Sequence, residues 1–166
     1  MKKNVIELMD KQDIDLQIDK YLSVNMDRKQ QLGEVFTPTK LIELVLDRLP
    51  NSVWKNKNYK WLEPACGTGN FMMIVYKKLM NGLKTEIKDT KARSRHIIEK
   101  MLYMVEINRS NVNIVKSIFG NNVNIYCNSF LDIDIQSETN ISNFDIILGN
   151  PPFQEQKMGK KYGNWI

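Results

Sequence analysis

Three short segments of this chain bring together residue types that could do chemistry, and each follows a run of apolar residues. The first is EPACGTGNF, residues 63–71. Gly67 and Gly69 can take backbone conformations closed to other residues and let the main chain approach a ligand. The helix that follows presents unpaired N–H groups to the same space. A phosphate-cradling loop would offer GxGxxG, or a Lys followed by Ser or Thr. Here an acid, Glu63, precedes the glycines, and Asn70 and Phe71 follow them, which suits a cationic ligand better. The second segment is YMVEIN, where Glu106 closes a strand and offers two acceptor oxygens at its tip. The third is ILGNPPFQ, residues 147–154, in which two prolines stiffen the backbone after a strand. Taken singly, each of these could be a plain turn between elements.

Positioning such segments takes an ordered set of strands and helices. Ile14, Ile18, Tyr21 and Leu22 have helical spacing, so the stretch from about Asn4 to Gln31 reads as an amphipathic helix or two. After GEVFTP, Thr37 and Pro38 suit a helix entry. Leu41, Ile42, Leu44, Val45 and Leu49 would form that helix's apolar face before Pro50 stops it. A strand at Lys60 to Glu63 leads through the glycine turn into a helix at Phe71 to Met80. Met101 to Glu106 then reads as a buried strand and Arg109 to Phe119 as a helix ended by Gly120. Val123 to Cys127 and Phe144 to Leu148 are two more strands, joined by a polar connection over about Asp132 to Ser142. Strands alternating with helices predict a parallel α/β sheet, whose ligands bind beyond the carboxyl ends of the strands. The segment from Asn81 to Lys100 contains KTEIKDTKARSR, longer and more basic than a crossover needs. Such charges normally lie solvated; contact with nucleic-acid phosphate is the alternative.

The loop at 63–71 resembles motif I of the S-adenosylmethionine-dependent DNA amino-methyltransferases. The resemblance implies a Rossmann-like fold and a cofactor site around Glu63, Pro64, Ala65, Cys66, Gly67, Gly69, Asn70 and Phe71, with the acid bonded to the cofactor's amino group. GEVFTP is similar to motif X, which places Phe36, Thr37 and Pro38 beside the methionine carboxylate. Glu106 and Ile107 then fall at the ribose. CNSFLDI resembles motif III but has Asn128 or Ser129, next to Phe130, where the family commonly has an Asp at the cofactor's adenine.

ILGNPPFQ resembles motif IV, the catalytic [D/N]PP[F/Y/W] sequence, here Asn150, Pro151, Pro152 and Phe153. An exocyclic amine on an aromatic ring is a poor nucleophile because its lone pair is delocalised. The Asn150 side-chain oxygen and the Pro151 carbonyl can accept its two hydrogens and favour a pyramidal nitrogen. Phe153 can stack on the target base. The order X, I, IV resembles the gamma group of adenine-N6 DNA methyltransferases of restriction and modification systems.

The remaining composition is compatible with that reading. The chain has 166 residues, 42% hydrophobic and 26% charged, with 24 Lys and Arg against 19 Asp and Glu. The net charge of +5 permits a polyanionic partner such as DNA but does not require one. Cys66 and Cys127 have no CxxC spacing and His96 is the single histidine, so no metal site and no disulfide are expected. No apolar stretch approaches the ~20 residues of a bilayer span, and a cytoplasmic location is expected. Residues 1–32 read as a helical segment and 33–166 as a partial methyltransferase domain, ending after the fourth strand with no target-recognition domain. A sheet of four strands should have an unpaired edge and a partly uncovered face, which calls for a completing subunit or downstream region. Two other functions fit less of the sequence: a noncatalytic or split-subunit remnant, and an amine methyltransferase acting on RNA or protein glutamine.

Overall fold

The structure is a computed structural model that describes residues 14, 16–22 and 37–151. Its first element, helical at 16–22, buries Ile18, as does Ile14 just before it. The elements then run α1 (Thr39–Leu46), a 3-10 turn (Asn51–Lys55), β1 (Trp61–Glu63), α2 (Asn70–Gly82), α3 (Thr90–His96), a π turn (Ile97–Met101) and β2 (Leu102–Glu106). They continue with α4 (Arg109–Phe119), β3 (Asn124–Cys127), α5 (Ile135–Thr139) and β4 (Ile146–Ile147). The four strands are all parallel, in the order β3-β2-β1-β4. The fold is the expected α/β, Rossmann-like arrangement. The chain steps outward from β1 to β2 to β3, then returns to the other side of β1. This reversal makes the gap between β1 and β4 the switch point where such sheets bind ligands.

Strand side chains alternate between faces, and the two faces are covered unequally. Trp61, Leu102, Met104 and Ile125 point into the main core, with α2, α4 and the 97–101 turn packed above them. Right-handed crossovers place α2 and α4 on that same face, because both connections step in the same direction. The return from β3 to β4 passes over the opposite face. There Leu62, Tyr103 and Val105 are covered, among the described residues, by α5 and its flanking loops, through Ile133, Ile135, Ile141 and Phe144. Among the described residues, β4 pairs with β1 alone and nothing pairs with its outer edge.

Eight residues of α2 are buried, from Phe71 to Met80. At about 1.5–3 kcal/mol for each large apolar side chain, this helix is the main anchor of the sheet. Its end is shaped by Gly82, where a Cβ would lie 2.1 Å from the Trp54 carbonyl oxygen. Only glycine lets the 3-10 turn approach, and the approach seats Trp54 on Trp61, ring centroids 4.9 Å apart.

Two sequence expectations need correction. In α1, Ile42 and Leu46 face the core, whereas Leu41, Leu44 and Val45 are exposed. The helix is apolar on most sides, so its composition did not mark the inner face. The basic connection is also not uniformly solvated. Lys84, Lys88, Lys91 and Arg95 are exposed, but Arg93 is buried and donates to the carbonyls of Ile87 (2.6 Å) and Lys88 (3.2 Å) and to Thr90 Oγ1 (3.2 Å). It pins the loop that Asp89 caps through Ala92 N–H at 2.7 Å. This connection joins the end of α2 to the start of β2, at the end of the strands opposite the glycine loop. Among the described residues, no helix is long and apolar enough to cross a membrane.

Candidate functional site

The carboxyl ends of β1, β2 and β4 converge on the loop that leaves β1. Gly67 has φ +54° and Gly69 φ +85°, the left-handed region that disfavours side chains. The turn between them closes with Gly69 N–H donating to Cys66 O at 2.8 Å, and Cys66 N–H ties it to Val105 O at 3.0 Å. A Cβ at Gly67 would meet nothing within 4 Å, so the loop borders open space there. A Cβ at Gly69 would meet Val115 Cγ2 at 3.1 Å, so that glycine serves packing against α4.

Glu106 is buried and holds this loop. Its Oε2 accepts from Gly67 N–H and its Oε1 from Asn108 N–H, both at 2.7 Å. Each carboxylate oxygen has a second lone pair, so both can accept a further donor from the ligand side. Asn108 in turn caps α4 by accepting from Ser110 N–H at 2.9 Å.

Glu63 sits in unusual electrostatic surroundings. It is 2% exposed, and its Oε2 has no hydrogen-bond partner among the described residues. Burial pushes its carboxyl well above the ordinary carboxylate range, the nearby Glu106 adds to the rise, and the Met72 backbone N–H opposes it. An orphaned buried carboxylate oxygen is costly unless a donor arrives. Burial also raises the neighbouring Cys66 thiol, with Glu63 and Glu106 contributing, so Cys66 is a neutral thiol and a poor nucleophile.

The segment after β4 passes directly over this carboxyl. Gly149 has φ +151°, and a Cβ there would stand 3.4 Å from Glu63 Cγ. Asn150 comes next, exposed, with Nδ2 donating to Thr37 Oγ1 at 3.1 Å. Thr37 and Asn150, far apart in sequence, are thereby joined next to the segment in which Gly149 approaches Glu63.

The other predicted site residues are placed as follows. Pro64, Ala65 and Asn70 are half-buried around the loop, and Phe71 is in the main core. Ile107 is 72% exposed beyond β2 and Phe130 is 37% exposed beyond β3, two apolar surfaces on the same rim. Asn128 N–H donates to Glu106 O at 3.1 Å, while Asn128 Oδ1 accepts from Ser129 N–H at 2.8 Å. Pro38 and Pro151 are exposed. Phe36, Pro152 and Phe153 lie outside the described residues. Gly149 and Asn108 were missed as site residues. A glycine before Asn-Pro-Pro, and an asparagine two places after Glu106, were the available signals. Among the described residues, no group of His, Cys, Asp and Glu is placed to hold a metal ion.

A parallel sheet with a glycine loop, two strand-tip acids and an Asn-Pro segment at its switch point is an α/β arrangement of the methyltransferase kind. The chain belongs to the N-6 DNA methylase family, whose pattern matches residues 11–164. It is 37% identical over 79 residues to an uncharacterized adenine-specific methylase of Mycoplasma pneumoniae, a match covering 46% of this chain and 19% of that protein. It also resembles the crystal structure of a type I restriction enzyme modification subunit from Vibrio vulnificus YJ016. The TM-score is 0.58 at 22% identity, over 95% of this chain and 31% of that one. The chain thus spans less than a third of the length of either relative.

Proposed function

We propose that this chain is the cofactor-binding and catalytic part of a DNA methyltransferase that moves a methyl group from S-adenosylmethionine to adenine N6. The observation that carries this reading is the buried Glu63 oxygen, unpartnered among the described residues, at the β1/β4 switch point, with Gly149 passing over it. The residues suit that cofactor. Glu63 would accept its ammonium group, the open side of Gly67 would leave room for its backbone approach, and Glu106 would take its ribose hydroxyls. Ile107 and Phe130 supply apolar surface for its adenine ring. When bound, the cofactor supplies an electrophilic methyl group on a sulfonium.

Asn150 Oδ1 and the Pro151 carbonyl accept hydrogens of the substrate amine and turn its lone pair out of conjugation. Holding the amine in line is the main task, so positioning replaces acid–base catalysis. The single histidine fits this, since His96 Nε2 lies 2.8 Å from Lys57 O at the opposite end of the strands. A base in a duplex cannot reach Asn150, so the target nucleotide must be flipped out at a cost of a few kcal/mol. Base-reading elements and a strand to pair with the β4 edge would come from a further segment or a partner subunit, in keeping with the greater length of both relatives.

Transfer of labelled methyl from S-adenosylmethionine to DNA, RNA and protein tests the proposal. Label on adenine N6 of DNA is expected. Label on RNA or protein alone would move the substrate, and cofactor binding with no transfer to any acceptor would favour a noncatalytic role.

A further inference from the structure

We infer that the face built by residues 55–60 and 84–100 is a second nucleic-acid contact, one that takes the phosphate backbone of duplex DNA without reading its sequence; only the choice of DNA rests on the methylation reading above. Three contacts join the two stretches into one surface. Lys57 Nζ lies 3.6 Å from Glu86 Oε2, His96 Nε2 is 2.8 Å from Lys57 O, and Lys60 Nζ donates to Lys100 O at 2.6 Å. Lys60 and Lys100 stand just before β1 and β2, at the ends of those strands away from Glu63 and Glu106.

Charge sets this face apart. The chain's net charge is +5, yet these stretches alone hold nine Lys and Arg against three acids, so the rest of the chain has no cationic excess. The three acids are engaged: Glu86 with Lys57, Asp89 as the cap of α3 through Ala92 N–H, and Glu99 with Asn122 Nδ2 at 3.1 Å. Lys84, Lys88, Lys91 and Arg95 are exposed, and none of them has an ion-pair partner among the described residues. Lys91 and Arg95 are four apart in α3, so they rise from one side of it. Arg93, between them in sequence, is 4% exposed, and its guanidinium donates to two carbonyls and a hydroxyl. Among the described residues it makes no ion pair, and its Nε has no partner. A buried cation without a counter-charge is costly, and its field is screened less than that of a surface charge. An anion laid along this face offsets both.

The observations favour a phosphate chain over a protein as that anion. Protein interfaces close over an apolar centre and are depleted in Lys. Here seven of the nine cations are Lys, and none of the exposed large hydrophobic residues among the described ones lies in these stretches. A duplex laid across the cofactor end of the sheet would not touch this face. It therefore holds a separate stretch of backbone, adding affinity without base contacts.

Lys88→Gln, Lys91→Gln and Arg95→Gln combined remove three exposed charges that take no part in the candidate cofactor site. Binding of a short mixed-sequence duplex to the full chain, followed by fluorescence anisotropy over a salt series, should weaken at least about tenfold near 0.1 M salt, and the slope of log K against log salt should fall by about 3. The loss should be equal for duplexes of different sequence. S-adenosylmethionine affinity and the melting temperature should stay near wild type, and Lys88→Arg with Lys91→Arg should bind DNA as wild type does. Unchanged affinity and slope in the triple variant would overturn the inference. So would poly-glutamate that binds as tightly as DNA and is lost in parallel, which would give the face to an acidic protein. DNA binding lost in the triple variant of a chain that methylates no acceptor would support this contact while refuting the proposed reaction.

Discussion

Glu63→Gln isolates the charge of the buried carboxylate while keeping its size. In the wild-type chain Glu63 Oε2 has no partner among the described residues, and burial holds the carboxyl protonated to higher pH than the ordinary value of 4.5. A cationic amine arriving at this oxygen would make a charge-assisted hydrogen bond worth about 1.5–3 kcal/mol. Loss of that charge should therefore weaken S-adenosylmethionine binding roughly 10- to 150-fold. The sign of the pH dependence is set by the same group. Binding of a cation favours the ionised carboxyl, so wild-type affinity should climb as pH rises above 4.5 and level off beyond the raised folded value. Without ligand the folded chain holds this proton more tightly than the unfolded chain. Its stability is then full below the unfolded value and declines as pH rises through the folded one. Glu63→Gln should remove both slopes and be at least as stable as wild type at alkaline pH. Calorimetric titration from acid to alkaline pH, paired with urea unfolding of the ligand-free proteins, measures both. Equal affinity with an unchanged pH slope in the variant would show that Glu63 does not receive the cationic group.

Three further substitutions test separate parts of the structure. Asn150→Ala should lower single-turnover methyl transfer about 10²- to 10³-fold, with the cofactor dissociation constant unchanged; a wild-type rate would reduce the Asn-Pro-Pro segment to a turn. Gly149→Ala forces a side chain into φ +151° and to 3.4 Å from Glu63 Cγ, adding about 1–2 kcal/mol of strain. Slower transfer and a lowered melting temperature are expected, measured side by side. Gly82→Ala would put a methyl group 2.1 Å from the Trp54 carbonyl and should cost about 1–3 kcal/mol in urea unfolding while leaving cofactor affinity near wild type, because the contact is at the far end of α2.

Local pattern made the elements legible where a single face dominates. Arg109 to Phe119 was expected as a helix and is one over those same residues, because Val112, Val115 and Phe119 repeat at helical spacing and Gly120 can take φ +88°. β1, β2 and β3 fall within a residue of their expected spans. Legibility failed where the pattern was degenerate. In α1 apolar residues surround the helix, so spacing could not tell Ile42 from Leu41. In the basic connection, charge suggested exposure for Arg93, and nothing local showed that two carbonyls and a hydroxyl would converge on its guanidinium. Five residues of the polar stretch at 132–142 became α5, too short for hydrophobic periodicity to register.

The site divides along the same line. The residues before and after each strand tip were visible as motifs, because glycine, proline and a terminal acid are local signatures. Their mutual arrangement depends on strand order, which no window of sequence contains. Had β4 joined the sheet beside β3, Asn150 would follow a strand three positions away from β1 and could not approach Glu63. The order β3-β2-β1-β4 instead makes β1 and β4 neighbours, with Trp61 in register with Ile146. Gly149 then clears the Glu63 side chain, and Asn150 reaches Thr37. The β4 edge left unpaired among the described residues follows from the same order. The strand that carries the Asn-Pro segment is also the strand with an edge to offer, so any segment or subunit that pairs there would bear directly on the position of Asn150.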